Sequence, residues 1–246
     1  MTLSAVVFGS LGTLTETSHL HHRAFNETFA AEGLGWHWDD SEYRQLLSIV
    51  GGAERIKQYA EGQPDGPALS PEAIADLQAK KTQRYVELIH SEPSTLRPGV
   101  KRLIEEATKA GVAVGLATGT SLANLTANLE ATGQITLADF AAYTTRNSEL
   151  APKPAPDIHR SCMSKLGVAP SETVAIEDTT DGVGSAATAG AVVLATPGAY
   201  VSHQDFSQAT ASVSWLGDHD HETELLSGPS LLASVVDVSW LRSLTT

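Results

Sequence analysis

Cysteine is almost missing from this chain: Cys162 is the only one in 246 residues. An intramolecular disulfide is therefore excluded, and the composition fits a reducing compartment. Cations are scarce as well, 16 Lys and Arg against 29 Asp and Glu, for a formal net charge of -13. That balance argues against a nucleic-acid or anionic-membrane surface, since either polyanion would be repelled. Long apolar runs are lacking too. No stretch approaches a membrane span, and the start MTLSAVVFGSLG has no basic segment and too short an apolar run for a signal peptide. Repeats and low-complexity segments are also absent. A soluble, cytoplasmic protein is expected.

What is there is ordinary globular composition, 41% hydrophobic and 18% charged. The length suits one large domain, or a core with a smaller inserted one. A small anionic substrate stays compatible with the charge, because a few local cations and backbone N–H groups overcome the mean field.

Leu3 to Phe8 is a β-branched apolar run that stops at Gly9, the pattern of a buried strand. From Thr17 to Glu32, Ala24, Phe25, Phe29 and Ala30 recur at helical spacing, and further helical patches follow at 40–48, 53–61 and 71–91. Strands then return at 111–118, 174–178 and 191–195, with a possible fifth at 211–215, and helices at 121–131 and 181–189 lie between them. Continuous apolar strands alternating with helices predict an α/β fold, a Rossmann-like parallel sheet covered on both faces. The helical run that breaks this alternation reads as an inserted all-helical domain over 16–91, with 1–15 and 92–246 forming the core. Stretches 197–204 and 217–229 read as loops, rich in Gly, Asp, His and Ser.

In an open parallel sheet, ligands bind beyond the carboxyl ends of the strands, so the residues that follow each strand are the ones to weigh. Thr118, Gly119, Thr120 and Ser121 open a helix, where a hydroxyl beside free N–H groups suits a phosphate. By itself this is a common helix cap. Lys153 stands between Pro152 and Pro154, a stiff setting for a point charge aimed at phosphate; alone it would read as a solvated surface lysine. Glu177 and Asp178 close a buried strand, costly unless they hold a cation or hydrogen-bond into the next helix. The three together, in this order and strand context, are far more specific than any one of them.

These motifs, with the stretches LAPKPAPDIHR, AIEDTTDGVGSAATAG and TPGAYVSHQDF, resemble the haloacid dehalogenase (HAD) superfamily of hydrolases. The resemblance is to the capped β-phosphoglucomutase and phosphoglycolate-phosphatase branch, and most of all to CbbY-type sugar-phosphate phosphatases. It implies a HAD core with a helical cap, phosphate binding by Thr118, Gly119 and Lys153, and a magnesium site drawing on Glu177, Asp178 and the backbone carbonyl of Leu11. It also places substrate-handling residues at Glu16, His21 and Arg55, the last in the loop Gly51-Gly52-Ala53-Glu54-Arg55. The implied ligand is a small phosphorylated metabolite such as a sugar phosphate.

The first motif departs from the family. Where the family carries Asp-x-Asp-Gly-Thr, this chain has Gly9-Ser10-Leu11-Gly12-Thr13. Gly9 cannot form a phosphoaspartate and Leu11 cannot move a proton, so no catalytic residue of the family type is intact. Ser10 lies between them, and strand alternation turns its side chain to the other face. Losing the residue-9 carboxylate also weakens the expected magnesium binding. The sequence thus predicts a pseudophosphatase that binds phosphate esters, as a sensor or a subunit with a protein partner. The alternative is an active hydrolase working through a non-standard group such as Glu16, His21 or Ser10.

Other clusters have plain explanations. The i, i+2, i+3 spacing of His19, His21 and His22 does not converge three imidazoles on a helix. Asp218 to Glu222 reads as a mobile acidic loop. Trp36 and Trp38 read as packing residues of the inserted helices, and Cys162 as a buried apolar residue.

Overall fold

All four side chains of Ala5–Phe8 are buried, which requires a strand covered on both faces. This is β1, an interior strand of the sheet. The computed structural model describes residues 2–9, 11–49, 51–63, 68–92, 94–147 and 149–245. The other strands are β2 (Ala113–Ala117), β3 (Ala142–Thr144), β4 (Thr173–Glu177), β5 (Val192–Ala195), β6 (Ala211–Val213) and β7 (Leu225–Ser227). Their spatial order is β3-β2-β1-β4-β5-β6-β7. Every pairing from β3 to β6 is parallel, and β7 alone runs antiparallel, against β6. The stretch expected as loop at 217–229 therefore contains a strand. Two of the three β7 residues are exposed, so no apolar run betrayed it in the sequence.

The helices are α1 (Leu11–Leu14), α2 (Ser18–Ala31), α3 (Asp40–Leu46), α4 (Gly52–Glu61), α5 (Pro71–Ser91), α6 (Val100–Lys109), α7 (Leu122–Thr132), α8 (Asp157–Leu166), α9 (Thr180–Ala189) and α10 (Val238–Leu244). The chain divides into a sheet unit, Met1–Glu16 with Ser94–Thr246, and a helical unit, Thr17–Pro93.

Strand alternation sorts the sheet unit's core into two faces. Val6 and Phe8 pack in one cluster with Leu103 and Ile104 of α6, Leu125 and Leu129 of α7, and Leu241 of α10. Val7 points the other way, among Ile158, Cys162 and Met163 of α8. A Cβ on Gly115 of β2 would lie 2.9 Å from the Cys162 sulfur, so α8 sits directly on the strand. Burial raises the Cys162 thiol to about 11, which leaves it a packing residue.

The helical unit is held by aromatic packing. Phe25, Phe29 and Trp38 are fully buried, with the Trp38 ring 4.6 Å from Phe25 and 4.8 Å from Phe29. Each such burial stabilises by about 1.5–3 kcal/mol. Asp39 caps α3 and Ser70 caps α5, each accepting from an orphan N–H of the first turn.

Candidate functional site

β1 is flanked by β2 on one side and β4 on the other, so the strand order reverses at β1. A crevice forms at such a point, beyond the carboxyl ends of the strands. Three sequence motifs meet there: Gly9 follows β1, Thr118 follows β2, and Glu177 ends β4 with Asp178 just after it.

Gly9 donates its N–H to the Ile176 carbonyl at 2.8 Å. A Cβ at this position would fall 2.3 Å from both the carboxyl carbon and Oε2 of Glu177. The Glu177 carboxylate thus fills the space in which a residue-9 side chain would begin. It is wholly buried. Oε1 accepts from the Lys153 ammonium at 2.6 Å and from His159 Nε2 at 2.8 Å, while Oε2 has no hydrogen-bond partner among the described residues. Burial pushes the Glu177 pKa up, but Lys153 and His159 outweigh it and hold it below the ordinary value. His159 in turn places Nδ1 2.8 Å from Ser185 Oγ, which is itself 2.7 Å from the Ala155 carbonyl. Burial lowers the His159 pKa and favours the neutral imidazole.

The first-motif turn is fastened from below. Thr13 Oγ1 donates to Asp178 Oδ1 at 2.9 Å, and a Cβ on Gly12 would come within 2.1 Å of Asp178 Oδ2. Burial, with Glu177 alongside, raises the Asp178 pKa. The Leu11 carbonyl accepts twice, from Thr15 N at 2.7 Å and Thr15 Oγ1 at 3.1 Å. Across the crevice, Thr118 is buried, and its Oγ1 accepts from Thr120 N at 3.2 Å. Gly119 faces open space. Ser10 lies outside the described residues.

The donors that the family resemblance implies for magnesium fit the ion poorly. Residue 9 contributes no carboxylate. The Leu11 carbonyl already makes two hydrogen bonds, and Glu177 is turned onto Lys153 and His159. Among the described residues no three His, Cys, Asp or Glu side chains are placed to hold a metal ion, and magnesium demands near-octahedral oxygen coordination.

Glu16 belongs to the sheet unit, where its Oε2 accepts from Ala199 N at 3.0 Å and its Oε1 is buried without a partner among the described residues. His21 and Arg55 belong to the helical unit. The Arg55 guanidinium donates to the Leu46 carbonyl at 2.8 Å and the Ile49 carbonyl at 3.0 Å, and lies over Phe25 and Tyr43. His21 stacks on Tyr85 with ring centroids 3.7 Å apart. Its Nδ1 is 2.7 Å from the ammonium of Lys81, a residue that sequence reasoning missed. Among the described residues no carboxylate pairs with His21, Arg55 or Lys81.

Burial, then Arg55, lowers the Lys81 pKa from 10.5 to about 7. The unfolded chain takes up a proton that the folded unit refuses, so this group makes stability rise as pH climbs from about 7 toward 10.5. Lys81→Met should flatten that rise. Urea midpoints of native and variant at several pH values test it, and parallel profiles would refute the assignment.

His159, Ser185 and Arg97 were also missed. Two of them share a column with apolar neighbours: His159 with Met163 on α8 and Ser185 with Ala189 on α9, both at i, i+4. A polar residue in an apolar column was the signal available.

The chain belongs to the haloacid dehalogenase-like hydrolases, whose family model it matches over residues 3–190. It is 43% identical over 210 residues to protein CbbY of Rhodobacter capsulatus, covering 85% of this chain and 92% of that one. Protein CbbY of Cereibacter sphaeroides is 42% identical over 208 residues, 84% and 90% of the two chains. The crystal structure of CbbY from Rhodobacter sphaeroides in complex with phosphate superposes with a TM-score of 0.79 at 40% identity, over 87% of this chain and 95% of that one. A variant of that protein has been solved with xylulose-(1,5)bisphosphate. β-Phosphoglucomutase of Clostridium difficile, at 17% identity and a TM-score of 0.73, shares the fold. Among the described residues no helix is long and apolar enough to cross a membrane.

Proposed function

We propose that this protein is a catalytically impaired member of the CbbY-like phosphatases that binds a phosphate ester and does not hydrolyse it. The observation that carries the reading is the pair Gly9 and Leu11: one has no side chain, and the other is an apolar residue, 7% exposed, inside the core cluster. Neither can attack phosphorus or move a proton. Lys153, Thr118 and Gly119 are the proposed phosphate ligands. Glu16, His21 and Arg55 keep the substrate-handling role suggested by the resemblance. The proposed ligand is a sugar phosphate, in keeping with the bisphosphate held by the CbbY variant. Magnesium has at most a weakened part in this site.

A panel of sugar phosphates tests the reading. Phosphate release with magnesium should stay at background, and calorimetry should detect binding of at least one ester. Lys153→Ala should weaken that binding by roughly 10- to 100-fold, the value of a charge-assisted hydrogen bond. Turnover by the native chain that disappears in Lys153→Ala would instead establish an active enzyme.

A further inference from the structure

The missing side chain at position 9 has not left a hole. The space is taken by the carboxylate of Glu177, whose carboxyl carbon and Oε2 both lie 2.3 Å from where a residue-9 Cβ would stand. The same Oε2 lies 2.0 Å from a Cβ built on Gly182. The carboxylate is therefore wedged between two glycines, and a side chain at either would evict it. It is anchored on one oxygen only: Lys153 and His159 both reach Oε1, while the sealed Oε2 has no donor among the described residues.

We infer that Glu177 is a built-in occupant of the anion site, standing in for the residue-9 carboxylate, holding Lys153, and giving way to an entering phosphate without help from a divalent cation. This rests on the reading that Lys153 binds phosphate. Three observations support it. The Lys153 ammonium spends its charge on Glu177 at 2.6 Å, with only 10% of its side chain exposed. A phosphate reaching Lys153 must take that partner's place, because two anions sharing one ammonium in a buried setting repel each other. The unsatisfied Oε2 makes the resident carboxylate easier to displace, since a buried oxygen without a donor costs about 1–3 kcal/mol or more. Finally, residue 9 supplies no carboxylate and the Leu11 carbonyl already accepts two hydrogen bonds, which leaves few oxygen donors for a cation. The balancing positive charge is then the lysine and not a metal.

The inference makes Glu177 a determinant of affinity that acts against the ligand. Glu177→Gln keeps the shape of the side chain and removes the competing charge. Gly9→Ala adds a single methyl that pushes the carboxylate off its seat, and the backbone there is not left-handed.

Inorganic phosphate is titrated by calorimetry into native protein, Glu177→Gln, Gly9→Ala and Lys153→Ala, each with and without magnesium, with circular dichroism to check folding. The expected result is phosphate binding about tenfold tighter in Glu177→Gln and Gly9→Ala, an effect of about 1.4 kcal/mol. Lys153→Ala should lose binding, and magnesium should change the native affinity by less than about twofold, too little for a metal bridge. Native-like affinity in whichever of the two tightening variants folds overturns the inference while leaving phosphate binding intact. So does a rise of about tenfold or more in native affinity on adding magnesium. Failure of all four proteins to bind phosphate overturns the phosphate-binding reading itself, and this inference with it.

Discussion

Gly9→Asp combined with Leu11→Asp is expected to convert the protein into a magnesium-dependent phosphatase, with turnover several orders of magnitude above the native chain. Removing a nucleophile from a well-studied hydrolase costs about a million-fold, which bounds what its return can give. The change is not a simple insertion. A Cβ at residue 9 falls 2.3 Å from the Glu177 carboxyl carbon, so Glu177 must leave Lys153. Because the obstacle is the end of a flexible side chain, the backbone can stay where it is. The new aspartate becomes the partner of Lys153, and Glu177 is released toward the position in which the family resemblance would use it. The second substitution carries its own cost. Leu11 packs in the main core cluster, and a carboxylate there loses apolar burial and must find water or a donor, costing about 3 kcal/mol. The expected pattern is therefore catalysis gained and stability lost in the double variant. Gly9→Asp alone should also lose stability, because it sets a second carboxylate beside the buried Glu177, and should stay slow for want of an acid. Phosphate release from a sugar-phosphate panel, read beside urea midpoints, measures both. Equal turnover in native and double variant would refute the assignment of positions 9 and 11 as the missing catalytic pair.

The parallel core was legible because its strands are buried on both faces and must be apolar throughout. Ala5–Phe8 and the 174–176 segment of β4 are buried, and both stand out as uninterrupted apolar runs. The edge was less legible for the opposite reason. β3 and β7 are three residues each and partly exposed, so neither period nor run length marks them. α6 went unread, although Val100, Leu103, Ile104 and Ala107 stand at helical spacing and are buried. At the site, Lys153, Glu177 and Asp178 could be named from their places after strands, but their pairing could not. That Glu177 fills the space above Gly9 depends on a shape that only the fold supplies. The roles of His159 and Lys81 were hidden for a related reason: Glu177 and Ser185 hold the one and His21 the other, and partners distant in sequence leave no pattern.

Arg97 is the residue whose loss should damage the site most without touching a ligand. Its main chain joins the first motif, with N–H donating to the Leu14 carbonyl at 2.8 Å beside an isolated bridge from Thr15 to Leu96. Its guanidinium spans three segments, donating to the carbonyls of Gly12 at 2.9 Å, Thr196 at 2.6 Å, Pro197 at 3.1 Å and Ser214 at 3.0 Å. The planar fork of arginine suits this divergent set, whereas a lysine is a point donor. The chain then turns tightly at Gly99, where φ is +86° and a Cβ would meet the Gly217 carbonyl at 2.3 Å, so the fork cannot slide to new partners cheaply. Arg97→Ala leaves the Thr196 carbonyl, in a residue 2% exposed, and three partly buried ones without this donor. The expected cost is roughly 2–4 kcal/mol, less than the sum of the bonds because water can reach some of these groups. The melting temperature should fall by roughly 5–15 °C. Phosphate affinity should fall too, because the Gly12 turn that backs Asp178 loses its tie to the loop after β5. Arg97→Lys should recover part of the stability and little of the affinity, a split that a loss of packing alone would not produce. If Arg97→Ala melts within a degree or two of native and binds phosphate equally well, the fork contributes nothing, and the first-motif turn is held by Thr13 and Thr15 alone.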